Sequence, residues 1–257
     1  MKIKDKVVVV TGGASGIGRG LCHRFATEGP KGIVVSDYDE KGAAVVAEQI
    51  GGLSVPADVG KEADIKNLVD IATRHFGPID LFVSNAGISA PGDAFTPDSD
   101  WQRCWDVHVM AHVYAARAVL PSMIERGGGY LLQTGSAGGL LTTLGAAPYA
   151  ISKHAAVAFA EWLSITHARD GIKVSCLCPL GVKTGMLSEE TEGIGQLIMQ
   201  TALSPEEVAE HVITGLEREA FLILPHPEVL AYFQSKANNY ERWLHHMRKE
   251  QEQYVTP

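Results

Sequence analysis

Val7-Val8-Val9-Val10-Thr11-Gly12-Gly13-Ala14-Ser15-Gly16-Ile17-Gly18 is a β-branched run that stops in a glycine-rich turn and passes straight into a helical pattern. A short continuous apolar run bounded by glycine reads as a strand buried on both faces. Glycines at a strand-to-helix turn let the backbone approach a pyrophosphate, and the helix N-terminus adds amides and positive dipole. A glycine-rich turn alone demands no more than positive φ. Its place after the first strand is what points to a dinucleotide.

Working outward, the same alternation repeats. Strands are expected at Lys6–Thr11, Gly32–Ser36, Leu53–Pro56, Ile79–Ser84, Tyr130–Thr134, Lys173–Leu177 and Ala220–Leu224. Amphipathic stretches lie between them near Gly18–Glu28, Glu40–Ile50, Lys61–Phe76, Asp98–Glu125, Tyr149–Asp170 and Pro205–Arg218. Near-continuous apolar strands alternating with helices predict a parallel sheet covered on both faces. Right-handed crossovers make this an α/β, Rossmann-type doubly wound sheet of about seven strands. No linker, low-complexity tract or repeat is visible, so residues 1–257 read as a single dinucleotide-binding domain. Two segments fall outside the alternation and are candidates to cover a pocket: a loop over residues 186–203, and a helical extension over residues 226–250, with one helix around Glu228–Glu250.

Composition narrows the function classes. With 46% hydrophobic residues the chain can bury a core, and its formal charge of −8 with scattered Lys and Arg argues against nucleic acid. Val7–Val10 is too short for a signal core or a membrane span, so neither is expected. Cys22, Cys104, Cys176 and Cys178 show no disulfide or metal spacing and read as packed, reduced thiols. The expected compartment is the cytoplasm.

Asp37 closes the second strand, about twenty residues past the turn. A carboxylate there can accept both ribose hydroxyls of NAD and would repel the 2′-phosphate of NADP. No Lys or Arg follows it directly, so NAD is the expected cofactor; the plainer alternative is a helix-capping Asp. Tyr149 and Lys153 stand at i, i+4 and share a helix face. A phenol near pKa 10 is a poor base, and an adjacent ammonium would lower that value. Upstream, Ser136 follows a strand and can hydrogen-bond a substrate oxygen as charge builds on it.

Together these stretches resemble the classical short-chain dehydrogenase/reductase (SDR) family. Thr11–Gly18 matches its TGxxxGxG turn, with Gly12, Ser15, Gly16, Ile17 and Gly18 as cofactor contacts. Asp58-Val59 looks like its adenine-contacting pair, and Ser84-Asn85-Ala86-Gly87 resembles its NNAG segment. Ser136, Tyr149 and Lys153 match its catalytic serine, tyrosine and lysine. Pro179-Leu180-Gly181-Val182-Lys183-Thr184 resembles its PGxVxT stretch, where Val182 and Thr184 would hold the nicotinamide carboxamide. The resemblance implies reversible hydride transfer on the B face between NAD and an alcohol or ketone, with Lys153 on the nicotinamide ribose. It also implies a homodimer or homotetramer formed through the helices that begin near Asp98 and Tyr149.

Four departures stand out. Ser84 replaces the first Asn of NNAG, Leu180 replaces the Gly of the PG pair, and the C-terminal pattern is the chain's own. His108, in Asp106-Val107-His108-Val109-Met110, aligns with the family's relay Asn. An imidazole titrating near neutrality could keep that proton relay; the plainer reading is a hydrogen-bonded core histidine. His108 and His112 lack the Glu and third ligand of a metal site, and His245-His246 reads as a solvated face. Met186, Leu187, Ile194, Leu197, Ile198, Met199 and Leu203 could present an apolar face to substrate, or simply pack on the domain. The glutamates at 189, 190 and 192 would oppose an acidic carrier, and neither the apolar segment nor the loops after the strands supplies a cation for an anionic group. A neutral, fairly apolar secondary alcohol or ketone is therefore expected. The alternatives are an NADP-dependent carbonyl or ketoacyl reductase, which Asp37 disfavours, and a non-catalytic NAD-binding regulator, which would not need a phenol beside an ammonium.

Overall fold

The computed structural model describes residues 1–187 and 194–255. Seven parallel strands run β1 (Val7–Thr11), β2 (Gly32–Asp37), β3 (Leu53–Pro56), β4 (Leu81–Ser84), β5 (Gly129–Thr134), β6 (Ile172–Leu177) and β7 (Leu222–Ile223). Their spatial order is β3-β2-β1-β4-β5-β6-β7. The chain winds outward from β1 in one direction and from β4 in the other, so the ends of β1 and β4 form the crevice of a doubly wound sheet.

The four valines of β1 explain the burial on both faces. Val7 and Val9 join one core cluster with residues of α3 (Glu62–Phe76), α5 (Ala111–Glu125) and α6 (Ala147–Thr166). Val8 and Val10 join another with α1 (Gly16–Ala26), α2 (Glu40–Ile50) and α8 (Pro205–Glu217). Strand side chains alternate in direction, so an all-apolar strand needs a helix layer on each side.

Two expected helices are divided. The stretch from Asp98 to Glu125 is α4 (Asp98–Trp105), a π-helical turn over Asp106–Met110, then α5. Such a turn inserts an extra residue into the helical ladder and is frequent at functional sites. The C-terminal extension is two helices, α9 (Glu228–Asn238) and α10 (Tyr240–Tyr254), broken at Asn239. Asn239 starts α10 by accepting the amide of Arg242 on its side-chain oxygen at 2.9 Å, a standard N-cap. Within the 186–203 segment the described helix is α7 (Ile194–Met199), six residues long; the three glutamates there lie outside the described residues. The four cysteines are buried free thiols, and burial pushes Cys22 up to about 12. Among the described residues no helix is long and apolar enough to cross a membrane, and no group of His, Cys, Asp and Glu could hold a metal.

Candidate active site

A cleft of about 2060 Å³ opens along the C-terminal ends of the strands. Of the catalytic and cofactor residues expected from sequence, all line it except Gly18. Gly18 lies underneath, where a Cβ would overlap the carbonyl oxygen of Gly12. Gly12 has φ +67°, and a Cβ on it would come within 2.8 Å of Ala86 Cα. The turn and the Asn85-Ala86-Gly87 segment therefore press backbone to backbone, which only glycine permits. Thr11 and Asn85 stitch them together. The Thr11 hydroxyl accepts the amide of Asn85 at 3.0 Å, and the Asn85 side-chain amide donates to the Thr11 carbonyl at 3.0 Å.

The start of α1 differs from those of α2 and α8. α8 carries a full capping box between Ser204 and Glu207, and Asp39 caps α2. α1 has neither a capping side chain nor an acid in its first turn. Its leading amides are open toward the cleft, a ready site for a phosphate. Beside it, Asp37 accepts the amides of Ala14 and Asp39 at 3.0 Å each, one per carboxylate oxygen. Each oxygen keeps a lone pair for a ribose hydroxyl. Asp58 also lines the cleft, but it is engaged: it accepts the Gly60 amide at 3.1 Å and pairs with Lys61 at 3.2 Å. The open helix start, the glycine cradle and the carboxylate fit a dinucleotide.

At the inner end, Ser136, Tyr149 and Lys153 converge. Ser136 follows β5, and its hydroxyl oxygen accepts the Gly138 amide at 3.0 Å. That leaves its proton free for the phenol of Tyr149, whose pKa the hydroxyl lowers. Lys153, one turn further along α6, is buried and donates to the Thr134 carbonyl at 2.9 Å. Burial brings the Lys153 ammonium down to about 8. Tyr149 departs from the sequence expectation. Burial raises its pKa, against the Ser136 hydroxyl, which lowers it. The ammonium stands 5.9 Å from the centroid of the phenol ring, and desolvation outweighs it.

His108 occupies the π-helical turn, fully buried, edge-on to Tyr149 with ring centroids 5.4 Å apart. Its Nε2 accepts the Ile88 amide at 3.0 Å, so the ring proton sits on Nδ1, which donates to Ser152 Oγ at 2.9 Å. Ser152 in turn donates to the Tyr149 carbonyl at 3.0 Å. Burial, with the nearby Lys153 charge, lowers His108 to about 2. This corrects the expectation of an imidazole titrating near neutrality: both ring nitrogens are occupied and the ring stays neutral. His112 is also buried and neutral, lowered to about 4 by burial, with Nδ1 3.2 Å from Gln133 Oε1.

A family model described as short chain dehydrogenase matches residues 6–195. The chain belongs to the short-chain dehydrogenase family. It is therefore an oxidoreductase of that family, whose relatives are named dehydrogenases. It is 35% identical to the 1-deoxy-11-beta-hydroxypentalenate dehydrogenase of Streptomyces exfoliatus, over 87% of this chain and 84% of that one. It is 30% identical to mouse 17-beta-hydroxysteroid dehydrogenase 13, over 83% of this chain and 71% of the relative. A short-chain dehydrogenase from Burkholderia phymatum, solved in complex with NAD, superposes with a TM-score of 0.86 at 27% identity, covering 94% of this chain and 96% of its own.

Part of the outer half of the cleft comes from beyond residue 195, where the family match ends. Leu141, Leu187 and Ile198 line it together with Tyr232, Trp243 and Met247 from α9 and α10. The sequence offered this extension as a candidate cover for the pocket without singling out these last three residues. His246, read from the sequence as part of a solvated face, is indeed exposed. His246 lines the cleft, 3.7 Å from Glu250, and Arg242 lines it one turn earlier. The outer half thus does contain a cation. His226 was missed as well: buried just after β7, it accepts the Leu180 amide on Nδ1 at 3.1 Å. It thereby holds the loop in which Leu180 replaces the family's glycine.

Proposed function

We propose that the protein is an NAD-dependent dehydrogenase that interconverts a bulky, neutral secondary alcohol and its ketone. The observation that carries this reading is the convergence of Ser136, Tyr149 and Lys153 at the inner end of a cleft whose other end holds the open start of α1 and Asp37. Gly12, Ser15, Gly16 and Ile17 would cradle the pyrophosphate, with Gly18 packing the turn. Asp37 would hold the ribose, Asp58 and Val59 the adenine. Asn85, Ala86 and Gly87 would back the nicotinamide ribose, and Pro179, Val182 and Thr184 the nicotinamide. Bound NAD would supply the hydride acceptor and a positive ring that favours the phenolate. Tyr149 takes the hydroxyl proton, Ser136 orients the substrate oxygen, and Lys153 holds positive charge beside both. His108 and Ser152 keep the Tyr149 turn in register through the Tyr149 carbonyl; His108 acts by position rather than by titration.

The preference for NAD over NADP rests on Asp37, whose carboxylate would face a 2′-phosphate, while Lys61 is paired with Asp58. The size of the substrate rests on the cleft volume, about twice the upper end of ordinary small-molecule pockets. That leaves room for a second large molecule beside the dinucleotide, against an outer wall where Leu141, Tyr232, Trp243 and Met247 stand with Arg242 and Glu250. The mouse relative, named for a hydroxysteroid, fits the same class. We assign residues 1–257 to one domain in the cytoplasm. We further propose self-association as a homodimer or homotetramer through the apolar residues that α6 leaves exposed, Ile151, Trp162 and Ile165; sedimentation velocity tests it, and a monomer at micromolar concentration would refute it. The catalytic reading is tested by following absorbance at 340 nm with NAD or NADP and a panel of neutral secondary alcohols. The expected result is reduced-cofactor formation with NAD at a kcat/KM well above that with NADP, and the reverse preference would overturn the cofactor assignment.

A further inference from the structure

The C-terminal hairpin lines the cleft although almost none of it is anchored. α10 buries no residue, and α9 buries only Val229 and Lys236. Val229 joins the apolar core, as expected of its type. A buried lysine is costly unless its ammonium is satisfied. Lys236 Nζ donates to the carbonyls of Leu140 and Leu141 at 2.9 and 2.6 Å. It also lies 4.8 Å from the centroid of the Trp243 ring and 5.7 Å from that of Tyr240. Two carbonyls and two aromatic faces, all neutral, thus surround one ammonium. The same ion ties α9 to α10 and both helices to the segment that follows Ser136. Further on, Val255 reaches the other end of that segment, where a Cβ on Gly145 would stand 3.5 Å from Val255 Cγ1. Gly145 stands two residues before the helix of Tyr149, and of the hairpin residues between these two contacts Trp243 and Met247 bring apolar surface to the cleft, beside Arg242, His246 and Glu250.

We propose that Lys236 is a positioning residue that clamps the C-terminal hairpin onto the loop between Ser136 and Tyr149, making the hairpin the distal wall of the substrate site. This rests on the proposed reading that a bulky substrate fills the outer half of the cleft. Lys236 touches no reacting atom. It acts by holding Trp243 and Met247 where a large apolar substrate meets them, whereas a small ketone seated at Tyr149 does not reach them.

The test uses full-length Lys236→Met and Lys236→Arg with three readouts: hydrogen exchange, calorimetry with NAD, and NADH-dependent reduction of cyclohexanone and of a saturated steroid ketone. In Lys236→Met, amide exchange across residues 228–254 is expected to rise about tenfold or more, while β1 and α1 keep their rates. NAD affinity is expected to stay within about twofold, and kcat/KM for the steroid to fall about tenfold through KM with cyclohexanone unchanged. Lys236→Arg still donates to both carbonyls and stacks on Trp243, so it restores docking and KM to within about threefold. Unchanged exchange in Lys236→Met overturns the clamp. Equal loss on both ketones, or a loss in kcat alone, overturns the wall. If the wild type reduces neither ketone, the substrate reading fails, and the exchange rates still decide the clamp.

Discussion

Lys153 and Lys236 are both buried ammoniums bonded to backbone carbonyls, and they serve opposite halves of one cleft. Around Lys153 the working parts come from the ends of parallel strands and the turns that follow them: the Thr134 carbonyl, Ser136, and the glycine turn after β1. Around Lys236 they come from residues far apart in sequence, the Leu140 carbonyl against the Trp243 ring, with little core beneath. The inner half is built from backbone geometry that the sheet imposes. The outer half is built from side-chain contacts that the sheet does not dictate. Such a division lets one fold keep its chemistry while the outer wall sets what enters.

Substitutions on the inner side should cost most. Lys153→Met removes the charge beside Tyr149 and is expected to lower kcat/KM by about 10²–10³-fold, read as NADH formation. Gly18→Ala drives a methyl group into the Gly12 carbonyl. NAD affinity by calorimetry should fall about a hundredfold with the outer half unaffected, and an unchanged affinity would separate the turn from the cofactor. Asp37→Ala deletes a charged acceptor, so NAD should bind about tenfold more weakly and NADP should gain relative to it. A variant equally poor with both cofactors would remove Asp37 from cofactor choice.

The smallest effect on turnover, and a distinct one on stability, concerns the two buried histidines. His108 and His112 titrate at about 2 and about 4 in the folded chain, against an ordinary 6.5. Below pH 6.5 the unfolded chain therefore binds more protons, and stability falls as pH falls through the window from 6.5 to 4. The slope per imidazole is about 1.4 kcal/mol per pH unit. Urea titrations of wild type and His108→Asn should show the shallower acid dependence in the variant. Equal slopes would mean that His108 is not held neutral by the fold.

The two halves were also unequally legible in the sequence. The parallel strands could be read in order because burial on both faces makes each an apolar run, as in Val7–Val10. The largest boundary error fell at an edge: the strand expected over Ala220–Leu224 narrows to Leu222–Ile223, an edge strand with one neighbour, while the inner β4 loses two residues from the expected Ile79–Ser84. The cofactor turn and the Ser136, Tyr149 and Lys153 set were readable because each depends on local spacing. The π-helical turn at His108 left no mark, since neither glycine nor proline announces it. The break at Asn239 did leave one, an Asn with the amide of Arg242 three residues on. His226 and Lys236 were unreadable as buried groups, because nothing in their neighbourhoods distinguishes them from solvated basic residues. Only the fold brings Leu180 and Leu140 to them.

The central claim is that Tyr149 moves the proton in a cleft whose cofactor half stands independently of it. Tyr149→Phe removes one hydroxyl and leaves the glycine turn and Asp37 untouched. Measured side by side with the wild type, NAD affinity by calorimetry is expected to stay within about twofold, while NADH formation falls by about 10²–10⁴-fold. Turnover that survives the substitution would contradict the assignment of Tyr149 as the acid–base group.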